Sequence, residues 1–164
     1  MLLELKDLFL TDGKRLAFSF EMDLSDVDLN GIKPFISPIE VRGEAVNGAG
    51  AVRLTADVSF SFAYPCDRCA TMEVKPYCYS FSHLLVPKRN EESNEDYIEA
   101  EGYQLELDGL LRDDILLELP TKFLCRPDCK GLCPVCGKNR NIENCDCVKH
   151  QVDPRLEVLK QLID

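Results

Sequence analysis

Cysteine dominates the chemistry open to this chain. Six of its nine cysteines fall in one run, LCRPDCKGLCPVCGKNRNIENCDC, which begins at Leu124. They are Cys125, Cys129, Cys133, Cys136, Cys145 and Cys147. At the centre of the run, Cys133-Pro134-Val135-Cys136-Gly137 separates two thiols by two residues and follows them with glycine. That pattern makes a tight turn presenting both sulfurs to one metal ion, and the glycine lets backbone N–H groups approach them. A tetrahedral zinc site takes four such ligands. The preferred set is Cys129, Cys133, Cys136 and one of Cys145 or Cys147, with Cys125 as the other upstream candidate. His150 is an alternative last ligand, because Cys147 and His150 also have ligand spacing. A solvated histidine is the simpler reading.

A second pair, Cys66 and Cys69, has the same spacing in Pro65-Cys66-Asp67-Arg68-Cys69. It admits three readings. It is half of a second zinc site, completed by two thiols left over from the run, so that eight cysteines make two sites of four. It is a free reduced pair in a tight turn. Or it is a redox dithiol, which normally opens a helix in a βαβ context rather than joining two strands. Redox work also needs a lowered thiol pKa, and Arg68 is the one cation at hand. Cys78 is expected to be a small buried core residue.

The thiolate-rich ligand set favours structural over catalytic zinc, since catalytic sites keep an open position and use histidine or carboxylate. No His-Glu-x2-His helix and no glycine-rich phosphate loop is present. His83 and His150 are the only histidines, so no Ser/His/Asp set can be assembled. A Mg²⁺-dependent nuclease around Asp113 and Asp114 is the remaining enzymatic option, and those acids read better as the wet face of a helix.

At 164 residues the chain is long enough for one domain with a real core. Its net charge of −10 makes it a poor non-specific binder of nucleic acid and points to a basic partner protein. The start, MLLELKDLFL, carries Glu4, Lys6 and Asp7 where a secretory signal needs an apolar run. No run of about 18 apolar residues exists. A reducing cytoplasm is therefore expected, where cysteines favour metal over disulfide. Nine is also an odd number for disulfide pairing. Near the cysteine run, basic residues outnumber acidic ones. Lys130, Lys138, Arg140 and Lys149 are the RNA-binding candidates, although each four-thiolate zinc centre would bring two negative charges of its own.

The elements that must position these groups are mostly strands. Residues 1–36 read as loosely patterned extended structure, with Leu16, Phe18 and Phe20 at period two. From Ile39 to Val86 an antiparallel meander is expected. Val52, Leu54, Ala56, Val58, Phe60 and Phe62 alternate with polar partners, and Asn47-Gly48-Ala49-Gly50 forms the first hairpin. The Cys66–Cys69 turn leads to a strand from Met72 to Val86 with Tyr77, Tyr79 and Phe81 on one face. Lys88 to Glu101 reads as a charged surface loop. A short strand follows over Tyr103–Leu107, then a helix to about Leu119 with Asp108 as its cap and Pro120 ending it. Asp153-Pro154 opens a last helix with Leu156, Leu159 and Ile163 on one stripe.

Taken together, CDRC (66–69), the acidic helix LDGLLRDDILLELP (107–120), the cysteine run and DPRLEVLKQL (153–162) resemble the YceD family of large ribosomal RNA subunit accumulation proteins. The resemblance covers the chain from about Ile39 to its end. It implies a bacterial or plastid factor needed for accumulation of the large-subunit rRNA, and hence for ribosome assembly. It also implies that some members lack most of the cysteines, which makes zinc a local staple, and it supplies no catalytic residues. The expected architecture is α+β. An antiparallel sheet, either open or barrel-like, with one helix spans 1–120, a cysteine-rich zinc loop spans 121–150, and a helix packing on the body spans 151–164. The expected function is non-enzymatic, through a basic ribosomal or assembly protein, large-subunit rRNA, or both. The alternatives are a thiol redox protein using Cys66 and Cys69, and a zinc-stabilised interaction module with no ribosomal role.

Overall fold

A computed structural model describes residues 1–88 and 97–147. The fold is α+β, and its main sheet is a curled half-barrel. Five strands lie in chain order: β2 (Arg15–Met22), β3 (Ile39–Gly48), β4 (Ala51–Pro65), β5 (Met72–Val86) and β6 (Tyr97–Glu99). The first four are antiparallel, and β6 runs parallel to β5. A separate two-stranded ribbon pairs β1 (Leu2–Glu4) with β7 (Gln104–Glu106). Among the described residues the two α-helices are α1 (Lys6–Leu10) and α2 (Leu107–Glu118).

The alternation of β4 decides which face of the sheet is dry. Val52, Leu54, Ala56, Val58, Phe60 and Phe62 are all buried, and their register partners on β5 include Leu85, Phe81, Tyr79 and Tyr77. A period of two puts these side chains on one face, and burying them drives the sheet to curl around them. Leu107, Leu111 and Ile115 give α2 a fully buried stripe in the same core. His83 on β5 and Asp114 on α2 tie helix to sheet, with Nε2 and Oδ2 2.7 Å apart.

Gly43 lets β3 follow the curl. A Cβ there would meet the Phe18 ring at 2.5 Å and would collide with the Thr55 carbonyl oxygen of β4. Phe18 thus packs against bare backbone, a position only glycine accommodates.

The structure corrects several expectations along the chain. Residues 6–10 form a helix inside the stretch read as extended. α1 is too short to show a period, and it is held by Leu5 and Leu8 in the core. Its last carbonyls are taken up by buried Asn47, whose Nδ2 donates to the oxygens of Leu8, Phe9 and Thr11 at 2.8–3.2 Å. Asn47 therefore anchors the hairpin, and Ala49 and Gly50, with φ of 54° and 87°, make the turn.

Part of the 88–101 segment is a strand, because β6 adds three residues to the sheet edge and Ala100 is fully buried. Cys78 is exposed rather than buried. It pairs with Ser59 on the outer face, opposite to the one carrying Tyr77 and Tyr79. Asp108 does not cap α2, whose N-cap is Glu106 with no side-chain hydrogen bond. Asp108 sits in the first turn and pairs with the Met1 ammonium. The expected terminal helix, with Lys149 and His150 before it, lies outside the described residues.

Candidate metal centre

Eight of the nine cysteines gather into two groups of four. The first joins Cys66 and Cys69, from the turn between β4 and β5, to Cys125 and Cys129, which follow α2. The second contains Cys133, Cys136, Cys145 and Cys147. Within each group all four sulfurs lie within 4.8 Å of one another. This corrects the preferred grouping. Cys129 sits with Cys66 and Cys69 and not with Cys133 and Cys136. The reason is topological: the β4–β5 turn comes down beside the segment leaving α2, so Cys125 and Cys129 meet that turn first.

The same local fold is built twice. Ala70 N–H donates to the Cys66 carbonyl at 2.8 Å, and Gly137 N–H donates to the Cys133 carbonyl at 2.9 Å. Ala70 and Gly137 both adopt left-handed backbone, with φ of 55° and 73°. Glycine suits that conformation, whereas alanine takes it at a cost of about 1–2 kcal/mol. Each turn aims backbone N–H groups at its first sulfur. In the first, burial works against the Cys66 thiolate, but N–H groups of Cys125, Arg68 and Cys69 outweigh it and bring the thiol down to about 6. In the second, N–H groups of Cys136 and Val135 bring Cys133 down to about 6.

Cys69 is also lowered, chiefly by its hydrogen bond to the Thr71 hydroxyl, whereas Cys125, Cys145 and Cys147 are raised. Burial pushes Cys125 up to about 12, and the hydrogen bond to Cys136 pushes Cys147 up to about 12. Four thiolates packed this closely repel one another unless a cation lies among them. The spacing fits such a cation. Cys66 and Cys129 sulfurs are 3.8 Å apart, and those of Cys69 and Cys125 are 3.7 Å apart. A tetrahedral ion with metal–sulfur bonds of about 2.3 Å sets its sulfurs about 3.8 Å apart. A disulfide would need about 2.05 Å, and all nine cysteines are free.

The two groups share a scaffold. Leu132 N–H donates to the Arg68 carbonyl at 2.9 Å, and Gly131 packs so closely on that carbonyl that a Cβ would approach it to 2.9 Å. The Arg68 guanidinium turns away from the sulfurs to the Cys129 carbonyl at 2.8 Å. Asn141 braces the junction, donating from Nδ2 to Cys129 Sγ at 3.3 Å and accepting from Lys130 N–H at 2.8 Å. The first group is the drier, with Cys66, Cys69 and Cys129 all buried. In the second, Cys136 is exposed.

Of the basic residues singled out for RNA, Lys130 and Arg140 project from this surface, while Lys138 is paired with Glu143 at 3.3 Å. A cleft beside the first group was not anticipated. Phe62, Tyr64, Tyr77 and Phe123 line it together with Lys75 and Lys122. The alternation of β4 and β5 marks three of those rings as inward-facing. Nothing local placed Phe123, whose backbone is held by Asp67: the Phe123 carbonyl accepts from Asp67 N–H at 2.8 Å, and the Phe123 N–H donates to the Asp67 carboxylate at 2.7 Å.

Comparison with known proteins gives this geometry its relatives. Uncharacterized protein YlbN of Bacillus subtilis is 28% identical over 153 residues, covering 88% of each chain. Two chloroplastic proteins named large ribosomal RNA subunit accumulation protein YCED homolog 1 also match, at 26% identity in Zea mays and 23% in Arabidopsis thaliana. The alignments cover 92% and 71% of this chain but 62% and 46% of those longer proteins. No solved structure matches. The family described as large ribosomal RNA subunit accumulation protein YceD matches residues 54–163, which takes in all eight clustered cysteines, and the chain belongs to that family.

Proposed function

We propose that this chain is a non-enzymatic cytoplasmic factor that supports accumulation of the large-subunit rRNA, and so ribosome assembly, with zinc at both cysteine groups. The observation that carries the reading is the family match, together with the names of the plant relatives. The ligand sets support a stapling role for the metal. Four thiolates fill a tetrahedral ion and leave no open position for substrate. Asp113 is exposed and Asp114 is engaged by His83, which supports reading these two acids as a wet face and a helix–sheet tie.

The acidic balance of the whole chain, −10, supports a basic ribosomal or assembly protein as the main partner. The test is deletion of the gene, with large-subunit and small-subunit rRNA quantified, and complementation by the intact chain. A selective fall in large-subunit rRNA, restored by the chain, is the expected result. Unchanged rRNA ratios overturn the reading. Capture of a basic ribosomal protein from nuclease-treated lysate is expected to weaken as salt rises.

A further inference from the structure

The geometry points to the cleft between the β4–β5 hairpin and residues 122–127 as a binding site for one unpaired nucleotide of single-stranded RNA. The cleft is about 280 Å³, near the lower end of pockets that take small ligands. Its floor is aromatic. Phe62 is buried and stacks on Phe123 with ring centres 5.1 Å apart, and Tyr64 meets Phe123 at 4.4 Å. Tyr77 stands next to Phe62, with centroids 5.7 Å apart and planes at 76°. Tyr64, Tyr77 and Phe123 are only half-buried, so a planar group entering the cleft meets ring surface.

The charge at this cleft runs against that of the whole molecule. Lys75 and Lys122 line it against the single carboxylate of Glu73, although the chain as a whole is strongly acidic. A basic peptide would meet two ammonium groups there. Rings for a base and ammonium groups for the adjoining phosphate are the combination that single-stranded nucleic acid requires.

The first cysteine group builds one wall. Cys66 and Cys125 both line the cleft. The Lys75 ammonium donates to the Leu124 carbonyl at 2.5 Å, drawing residues 123–125 onto the sheet. Metal in that group would therefore hold the cleft open in one shape. The choice of RNA over free nucleotide as the source rests on the ribosomal reading; the nucleotide chemistry does not.

The test uses the zinc-loaded full chain and fluorescein-labelled decamers of uridylate and adenylate, read by anisotropy at about 50 and about 200 mM salt. Unlabelled AMP and UMP serve as competitors. Saturable binding is expected. Tyr64→Leu, which keeps the apolar bulk, should weaken it by roughly 5- to 150-fold, the range for one base stacked on one ring. Lys122→Glu, at an exposed position, should flatten the dependence of log affinity on log salt by about 0.7.

Competition by mononucleotide equal to that by oligomer keeps the nucleotide site and overturns RNA as its source. No binding by the parent chain at the lower salt overturns the proposal. So does binding unchanged in both variants, and so does loss of a captured basic protein in both variants with no RNA bound. The rRNA levels of the deletion strain do not enter this measurement, so failure of the cleft and failure of the ribosomal role are separate results.

Discussion

Individual thiols in the two groups are set unequally, and the inequality has a consequence that can be measured. Cys66 and Cys133 are drawn down to about 6 and are ionised at neutral pH, whereas Cys125 and Cys147 are pushed up to about 12. Loading a four-thiolate site demands that every proton leave. Metal uptake near pH 7.5 should therefore release protons, but fewer than four per group, because at least one thiol in each is already ionised and Cys69 in the first is lowered as well.

The sign follows from the depressed groups. Cys66 and Cys133 lie below the ordinary thiol value of 9.0, so their thiolates favour the folded turn. That contribution is full above about 9 and is lost as pH falls through about 6. Metal affinity should fall with falling pH throughout, and more steeply below about 6, where these two thiolates also take up protons. Zinc titration with a chromophoric chelator between pH 5 and 8, with proton release followed in weak buffer, reads both quantities. Release of four protons per group at neutral pH would contradict the assigned ionisation.

At the scale of elements, strand parity was legible in the sequence and the accommodating residues were not. The alternation from Val52 to Phe62 identified β4 and its dry face, and the same parity placed Tyr77 and Tyr79 inward. The same parity puts Cys78 outward, and the expectation of a buried core cysteine failed because it followed the residue type and not the alternation. α1 and β6 were missed because five- and three-residue elements are too short for a period to appear. Each exists through tertiary contacts, Asn47 under α1 and Ala100 behind β6.

The cysteine spacing showed that two turns of the same kind were present. Only the topology showed that Cys125 and Cys129 answer to Cys66 and Cys69, since nothing in a linear run records which distant turn will lie beside it. Gly43 is another such residue, silent in the sequence but set beneath the Phe18 ring and beside the Thr55 carbonyl. Gly43→Ala should destabilise the chain by about 1–3 kcal/mol, the usual cost of overpacking. Urea denaturation gives the value. Pairing the change with Phe18→Leu should recover part of the loss if the ring is what the new methyl strikes, and no recovery would place the strain on the β4 carbonyl instead.

For the whole molecule, the second cysteine group is expected to depend on the first more than the first on the second, although Asn141 in the loop of the second group also donates to Cys129 Sγ. The first group links positions 56 residues apart in the chain through Cys69 and Cys125. Closing a loop of that length removes chain entropy worth about 4 kcal/mol. The second group closes a short local loop and rests on the first through the Leu132 N–H and the Arg68 carbonyl. The half-barrel core of Leu54, Val58, Leu107, Leu111 and Ile115 includes no ligand of either group.

Removing the second site with Cys133→Ser and Cys136→Ser should then cost one equivalent of zinc and little global stability, with the first site intact. Removing the first with Cys66→Ser and Cys69→Ser should cost about 4 kcal/mol and also loosen the second, because its support turn is no longer fixed. Hydrogen exchange separates these outcomes. Amides of 122–129 should stay protected in the first double variant and exchange fast in the second, while those of β3 and β4 remain slow in both. Equal effects of the two double variants on zinc content and on exchange would mean that the groups are independent, and the expected hierarchy would fall.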